Sequence, residues 1–435
     1  MKKTLLLTIA ILASAPIQAQ DLAEVYALAQ SNDARIQVAR STRDAALEAK
    51  PQAQALLRPT VSLSADASLV RRDVRRSSSA TGASTYDTQN LSLSLSQPLY
   101  QRSYWTQLEQ ADLQVAQAEA SYASEEQSLI VRVAEAYFGV LSAQERLAFA
   151  QAEIAAIARQ LEQSKQRFEV GLIAITAVHE AQAAYDQSRA DLIQAENDID
   201  NAREALREIV GDGDGVGELD RVRETLPLDT PQPQDIDQWS DSAQQTNLAL
   251  QAAVYSADIA RKNVDLQRAG HYPTLDLVGS HALARSDSAS GTDADTTSIG
   301  LQLSLPLYSG GAVSSKVRQA MLELDAAQGS LDQERRSVNR QVRDAYRGVL
   351  SSISTVEALK AGTVSAQSAL EATEAGFEVG TRTMVDVLTA QRDLYRAKSN
   401  YSSVRFNYIL SGLRLKQAVG TLSAEDLGRI NEWLD

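Results

Sequence analysis

Four stretches of this chain alternate apolar and polar residues one by one, and a chain that carries them must bury one face of a sheet and dispose of its edges. In the first, Val61, Leu63, Ala65, Ala67 and Leu69 alternate with Ser62, Ser64, Asp66 and Ser68. In the second, Leu91, Leu93 and Leu95 alternate with Ser92, Ser94 and Ser96 and run into Gln97-Pro98-Leu99-Tyr100. The third opens at His271-Tyr272-Pro273 and carries Leu275, Leu277, Gly279, His281 and Leu283. The fourth sets Ile299, Leu301, Leu303 and Leu305 against Gly300, Gln302 and Ser304 and ends in Leu305-Pro306-Leu307-Tyr308. A period of two is that of a strand with one apolar and one polar face. Polar loops, one from Arg71 to Asp87 with Arg71, Arg72, Arg75 and Arg76 and one from Arg285 to Thr297, join each pair into a hairpin. Each strand is about 10 residues, the length that crosses a bilayer when tilted. An open sheet in lipid leaves edge groups unpaired at several kcal/mol each, so these strands must close with strands of other copies. Two copies give eight strands and a filled interior; three give twelve and begin to leave a lumen, lined by the serine face.

After each Pro-Leu-Tyr the period changes to that of a helix. Leu108, Val115, Tyr122, Leu129 and Ala136 recur every seven residues, and Val317, Leu324, Leu331, Val338 and Ala345 repeat them 209 positions later. Phe168-Glu169-Val170-Gly171-Leu172-Ile173-Ala174-Ile175-Thr176 interrupts the first run; Phe377-Glu378-Val379-Gly380-Thr381-Arg382-Thr383-Met384-Val385-Asp386-Val387-Leu388 interrupts the second. In both, the pattern stops at a Gly, which tolerates the left-handed conformation after a helix, and resumes behind a Thr suited to cap the next one. Beyond the first break Val178, Tyr185, Leu192, Ile199 and Leu206 form one seam, with Ala181, Ser188, Ala195, Ala202 and Ile209 three residues on. Beyond the second, Val387, Leu394, Tyr401, Tyr408 and Leu415 are followed by Ala390, Ala397, Val404, Ser411 and Ala418. A large residue at one seam and a small one at the other specifies close, antiparallel coiled-coil packing.

Met1 to Ala19, with Lys2, Lys3, an apolar run from Leu5 to Ala13 and small residues before the break, reads as a secretory leader. The first repeat then covers 20–210, a Gly- and Pro-rich linker 211–234, the second repeat 235–420 and a closing segment 421–435. Leu22 to about Ala49 reads as one helix, bent at Pro51. Because the linker and the closing segment follow the same helix of each repeat, they are expected to pack together. The net charge of −14 repels phosphate, which argues against nucleic acid as a partner. Zero cysteines exclude disulfides, thiolate metal sites and a lipidated N-terminal Cys. Behind the leader no apolar run reaches the length of a membrane helix, so the strands alone carry the membrane signal.

The double repeat, the Pro-Leu-Tyr strand ends and above all the two Val-Gly turns resemble the TolC family of outer-membrane channels. The resemblance spans nearly the whole mature chain. It implies an α+β membrane protein: a homotrimer with a twelve-stranded β-barrel, four strands per protomer, continuous with a long antiparallel coiled-coil α-barrel, and an equatorial region built from the linker and closing segments. It implies a place in the outer membrane of a Gram-negative cell, in contact with lipid and extending into the periplasm. The implied role is a passive exit duct of a tripartite efflux pump or type I secretion system, joined to an inner-membrane transporter through a periplasmic adaptor, with no cofactor. Val170, Gly171 and Leu172, and Val379, Gly380 and Thr381, match the turns that meet the adaptor. Asp386 matches the first acidic ring that narrows the entrance; three such carboxylates around one axis favour cations. The second ring is replaced by Thr389. Arg382 matches an Arg that tethers neighbouring coils, but its acidic partner is replaced by Ala177.

Other readings of the same residues stay in view. An exported coiled-coil scaffold or adhesin would share the heptads, though not four bilayer-length strands. A periplasmic enzyme would need a concave site and a catalytic constellation, and no Ser-His-Asp, Cys-His or paired-carboxylate arrangement is recognisable. His179, His271 and His281 lack metal-ligand spacing. Asp212-Gly-Asp214-Gly opens like a calcium loop without its downstream acids and reads as linker. The loop arginines suit either solvent or lipid phosphate.

Overall fold

The computed structural model describes residues 20–75, 82–211, 217–223, 225–288 and 293–434. The leader, Arg76 and the Asp212-Gly-Asp214 segment lie outside them. The chain divides into two compact units, and each takes segments from both repeats: one comprises residues 1–39, 123–247 and 337–435, the other 40–122 and 248–336.

The second of these units holds a single antiparallel sheet of order β1-β2-β3-β4, with β1 Thr60–Val74, β2 Gly82–Gln101, β3 Thr274–Ser286 and β4 Ala294–Ser304. The fold class expected from the alternating pattern is therefore present: four strands per chain joined to long helices. The strands are longer than the pattern suggested. Arg71 pairs with Thr85 and Arg72 with Ser84, so much of the expected first loop is strand. The backbone ladder continues past the apolar band, where side chains no longer alternate and the period of two vanishes from the sequence. β2 runs through Pro98 to Gln101, with a register shift between Pro98 and Tyr100. A proline has no N–H to give the ladder, and a bulge accommodates it. The matching Leu305-Pro306-Leu307-Tyr308 is not strand, and Leu307 and Tyr308 are each 89% exposed. β2 is paired on both sides and β4 on one, so the same sequence ends differently in the two repeats.

The other unit is helical. Its long helices are α4 Arg102–Glu169 and α5 Ile175–Val210 from the first repeat, α8 Ala312–Glu378 and α9 Met384–Val419 from the second; α4 and α8 begin in the sheet-bearing unit. Tyr137 and Phe138 are fully buried, and the Phe138 and Phe406 rings stack at 5.7 Å between centroids. The linker and the closing segment do meet: Val222 bridges Leu434 antiparallel, and the Arg223 N–H donates to the Trp433 carbonyl at 2.9 Å. Arg405 on α9 is buried and donates to the carbonyls of Val222 and Arg223.

The single helix expected from Leu22 to Ala49 is instead three, α1 Leu22–Asn32, α2 Ala34–Leu47 and α3 Ala49–Ala55. The main break is at Asp33, not Pro51, which sits near the start of α3. Asp33 leaves the helical conformation because its side chain caps α2, accepting from the Ile36 N–H at 2.8 Å, and pairs with Arg132 at 2.7 Å. The second repeat has the same device: α6 Ile236–Thr246 and α7 Leu248–Arg268 break at Asn247. Both breaks receive the end of a long helix. Asn32 donates to the Val210 carbonyl at 2.9 Å; Thr246 and Asn247 donate to the Val419 and Ala418 carbonyls at 2.7 and 2.8 Å. These bonds occupy carbonyls that a helix C-terminus leaves open. At Gly420, in the left-handed region with φ +89°, an added Cβ would lie 2.3 Å from the Thr246 carbonyl oxygen. No other residue allows that approach.

Candidate functional site

The two hairpin turns and the first turns of α9, all in the helical unit, contain every site residue expected from the sequence. Each is closed by the same backbone bonds. Gly171 N–H donates to the Phe168 carbonyl at 2.9 Å and Leu172 N–H to the Arg167 carbonyl at 2.8 Å. In the second turn Gly380 N–H donates to Phe377 at 3.1 Å and Thr381 N–H to Gly376 at 2.8 Å. This pair of bonds is the Schellman motif, which requires a left-handed residue at the end of the helix. Gly171 and Gly380 supply it, with φ of +76° and +80°. With the backbone satisfied internally, the side chains are left to solvent: Val170, Leu172 and Val379 are 70%, 73% and 76% exposed.

The turns differ in how the next helix starts. Thr383 is the N-cap of α9, and its hydroxyl accepts from the Asp386 N–H at 3.3 Å. The Asp386 carboxylate returns the bond, accepting from the Thr383 N–H and hydroxyl at 2.8 Å each, which completes a capping box. The backbone N–H of Thr383, then its hydroxyl, and then the Arg382 charge hold the Asp386 carboxyl below the usual carboxylate range. In the first turn the expected capping Thr comes two residues too late: α5 starts at Ile175 behind Ala174, with no side-chain cap, and Thr176 lies inside the helix. Asp386 is partly exposed, and Arg382 and Thr389 are exposed. Arg382 lies across Gly376, where a Cβ would be 2.7 Å from its Cγ. Ala177, in place of an acid, packs with Val178 and Tyr185 against a cluster of Ile157, Leu161, Ala181, Met384 and Leu388.

That cluster joins the two hairpins, and no sequence pattern marks it. Met384 and Leu388 from α9 insert among residues of α4 and α5, and Phe377 touches both this cluster and a second one of Leu370, Val387 and Leu394. The Arg167 guanidinium stands over the Phe377 ring at 5.0 Å. Heptad spacing marks each seam but does not say which helices share it. Among the described residues no group of three or more His, Asp or Glu side chains is arranged to hold a metal ion. His281, on the apolar side of the sheet, lies 2.8 Å from the Thr297 hydroxyl.

The profile of the outer membrane efflux protein family matches residues 25–212 and 239–421, one stretch in each repeat. The chain is 43% identical over 427 residues to outer membrane protein TolC of Vibrio cholerae, covering 97% of this chain and 95% of the relative. It is 38% identical over 433 residues to outer membrane protein TolC of Escherichia coli, covering 96% of this chain and 85% of the relative. In fold it resembles the Campylobacter jejuni CmeC outer membrane channel, with a TM-score of 0.82 at 18% identity, covering 96% of this chain and 91% of that one.

Proposed function

The chain belongs to the outer membrane efflux protein family, and from that premise we propose that three copies close into one passive exit duct for efflux and type I secretion. One observation carries this reading: a four-stranded sheet in which, among the described residues, the outer edges of β1 and β4 have no partner strand and an apolar face is open to its surroundings. Val61, Leu63 and Leu69 on β1 are 66%, 69% and 72% exposed, and Ile299, Leu301 and Leu303 on β4 are 77%, 66% and 70% exposed. Lipid covers such a face, and neighbouring copies satisfy such edges. Tyr100 at the end of β2, Tyr272 before β3 and Tyr308 after β4 stand at the helix-bearing end of the sheet, 41%, 50% and 89% exposed. They suit the aromatic girdle at a membrane interface.

The duct reading gives each turn residue a task. Val170, Gly171 and Leu172, with Val379, Gly380 and Thr381, form the surface for a periplasmic adaptor, which couples the duct to an inner-membrane transporter. Asp386 places three carboxylates around the threefold axis at the entrance. Because Oδ2 of each is already held by Thr383, its position is fixed by the start of α9 instead of by side-chain freedom. Arg382 lies beside this ring, and Thr389, one turn along α9, adds no charge. The proposed role is passive and calls on no catalytic group.

Two variants separate the charge of Asp386 from its capping bond. Thr383→Ala is expected to cost about 1 kcal/mol of local helix stability and to leave block by multivalent cations in place. Asp386→Ala removes the ring charge as well and is expected to abolish that block. Single-channel current in planar bilayers, with and without a trivalent cation, is the measurement. Wild-type protein that carries no current would refute the duct; conducting Asp386→Ala protein with unchanged block would refute the ring.

A further inference from the structure

The register of the sheet identifies every charge on its polar face. Ser62, Ser94, Ser280 and Ser298 form one row across all four strands, with Oγ atoms 2.6 Å apart between Ser62 and Ser94 and 2.8 Å apart between Ser280 and Ser298. The next row on the same face is Ser64, Ser92, Ala282 and Thr296, and the one beyond it is Asp66, Asn90, Ala284 and Ala294. Ser68 and Thr88 follow, hydroxyl to hydroxyl at 2.8 Å. Over these four rows the alternation leaves a neutral, largely hydroxyl-bearing wall interrupted by one carboxylate. Among the described strand residues this face carries two other charges, Arg72 and Asp276. At about 3.3 Å per residue, Arg72 is about 20 Å from Asp66 along β1, and Asp276, paired with Pro98, is about 26 Å from the Asp66 row. Both separations exceed the Debye length of about 10 Å at 0.1 M salt, so Asp66 acts alone on an ion passing its level. Its carboxylate is not free to turn away: Asn90 Nδ2 donates to Oδ2 at 3.0 Å and holds it to the wall.

We propose that Asp66 is a charge-selectivity residue of the duct, acting inside the barrel and independently of Asp386. The inference rests on the duct reading, which makes the polar face the lumen. Three copies place three fixed carboxylates at one level of the wall, with neutral side chains in the rows on either side of it. Small cations are drawn to that level and small anions are repelled from it. The chemistry to be separated is that of potassium and chloride ions, which differ only in sign at similar size.

The test is the reversal potential of purified full-length protein in a planar bilayer under a KCl gradient, in an Asp386→Asn background that removes the entrance carboxylates. Asp66→Asn is expected to lower the potassium-to-chloride permeability ratio at least about twofold at 0.1 M salt, and the difference should vanish near 1 M, where the Debye length is about 3 Å. The exchange Asp66→Asn with Asn90→Asp returns a carboxylate to the same row on the adjacent strand and is expected to restore the ratio. An unchanged ratio in Asp66→Asn, or no restoration in the exchange, overturns the proposal while leaving the duct intact. Absence of any conductance in the background protein would instead refute the duct itself. If Asp66→Asn does not assemble, Asn90→Asp alone must raise the ratio, and a fall or no change overturns the proposal.

Discussion

Leu93→Arg is expected to remove the protein from the outer membrane as an assembled species, while Ser94→Arg, one residue along the same strand, is expected to leave assembly intact. Leu93 lies in the middle of the apolar run of β2, flanked by Leu91 and Leu95 and paired with Leu63, and is 46% exposed. An arginine at the midplane of the lipid face of a barrel costs about 2–4 kcal/mol, and assembly of three chains incurs it three times. Ser94 points to the opposite face, in the row of serines. There an arginine meets water, and its effect is on conduction. Gel migration of unheated outer-membrane fractions reads the contrast. Equal assembly of the two variants would mean that the apolar face does not meet lipid.

The second large effect is expected in the helical unit. Asp33→Asn keeps a good N-cap for α2 but removes the charge that answers Arg132. Asp33 is 3% exposed and receives Arg132 through both terminal nitrogens, at 2.7 and 3.2 Å. Removing one partner of a buried pair typically costs about 3–5 kcal/mol. Here Glu125, 3.0 Å from the same guanidinium, keeps part of the compensation, so about 3 kcal/mol is expected. Burial alone would raise the Asp33 carboxyl; the Arg132 guanidinium and the Ile36 N–H outweigh it and hold it below the usual carboxylate range. A depressed folded-state value means that the stabilisation is complete above the unfolded value near pH 3.9 and is lost as pH falls through the folded value. Thermal unfolding at neutral and strongly acidic pH should therefore show a large gap between wild type and Asp33→Asn that closes in acid. A gap independent of pH would assign the loss to packing instead.

How much of this was legible beforehand depended on whether the governing interaction was periodic. The four strands and the two Gly turns follow from local rules, period two for Val61 to Leu69 and a left-handed C-terminus at Gly171 and Gly380, and the structure has them. The break at Asp33 has a local part, the cap that Asp33 gives Ile36, and a distant part that no local rule shows, Arg132, 99 positions away. Pro51 was the stronger local signal, yet a proline near a helix start needs no bend. Strand pairing beyond the apolar band at Arg71 and Arg72 was hidden because hydrogen bonding extends a ladder without leaving a side-chain pattern. The two turns share their Val-Gly but are unequal in sequence, since only the second carries Arg382 and Asp386; that Thr383 stands three residues before this acid makes the capping box. The contact of Arg167 with Phe377 and the insertion of Met384 between α4 and α5 required knowing which seams meet.

The sheet of one chain leaves the outer edges of β1 and β4 without a partner strand among the described residues, and three chains are expected to close it. The most direct measurement is the number of chains in the complex extracted from outer membranes in mild detergent, read by native mass spectrometry before and after heating. A species of three chains that gives way to single chains only on heating is expected. A single chain in the unheated sample, with the outer edges of β1 and β4 left unpaired, would contradict it.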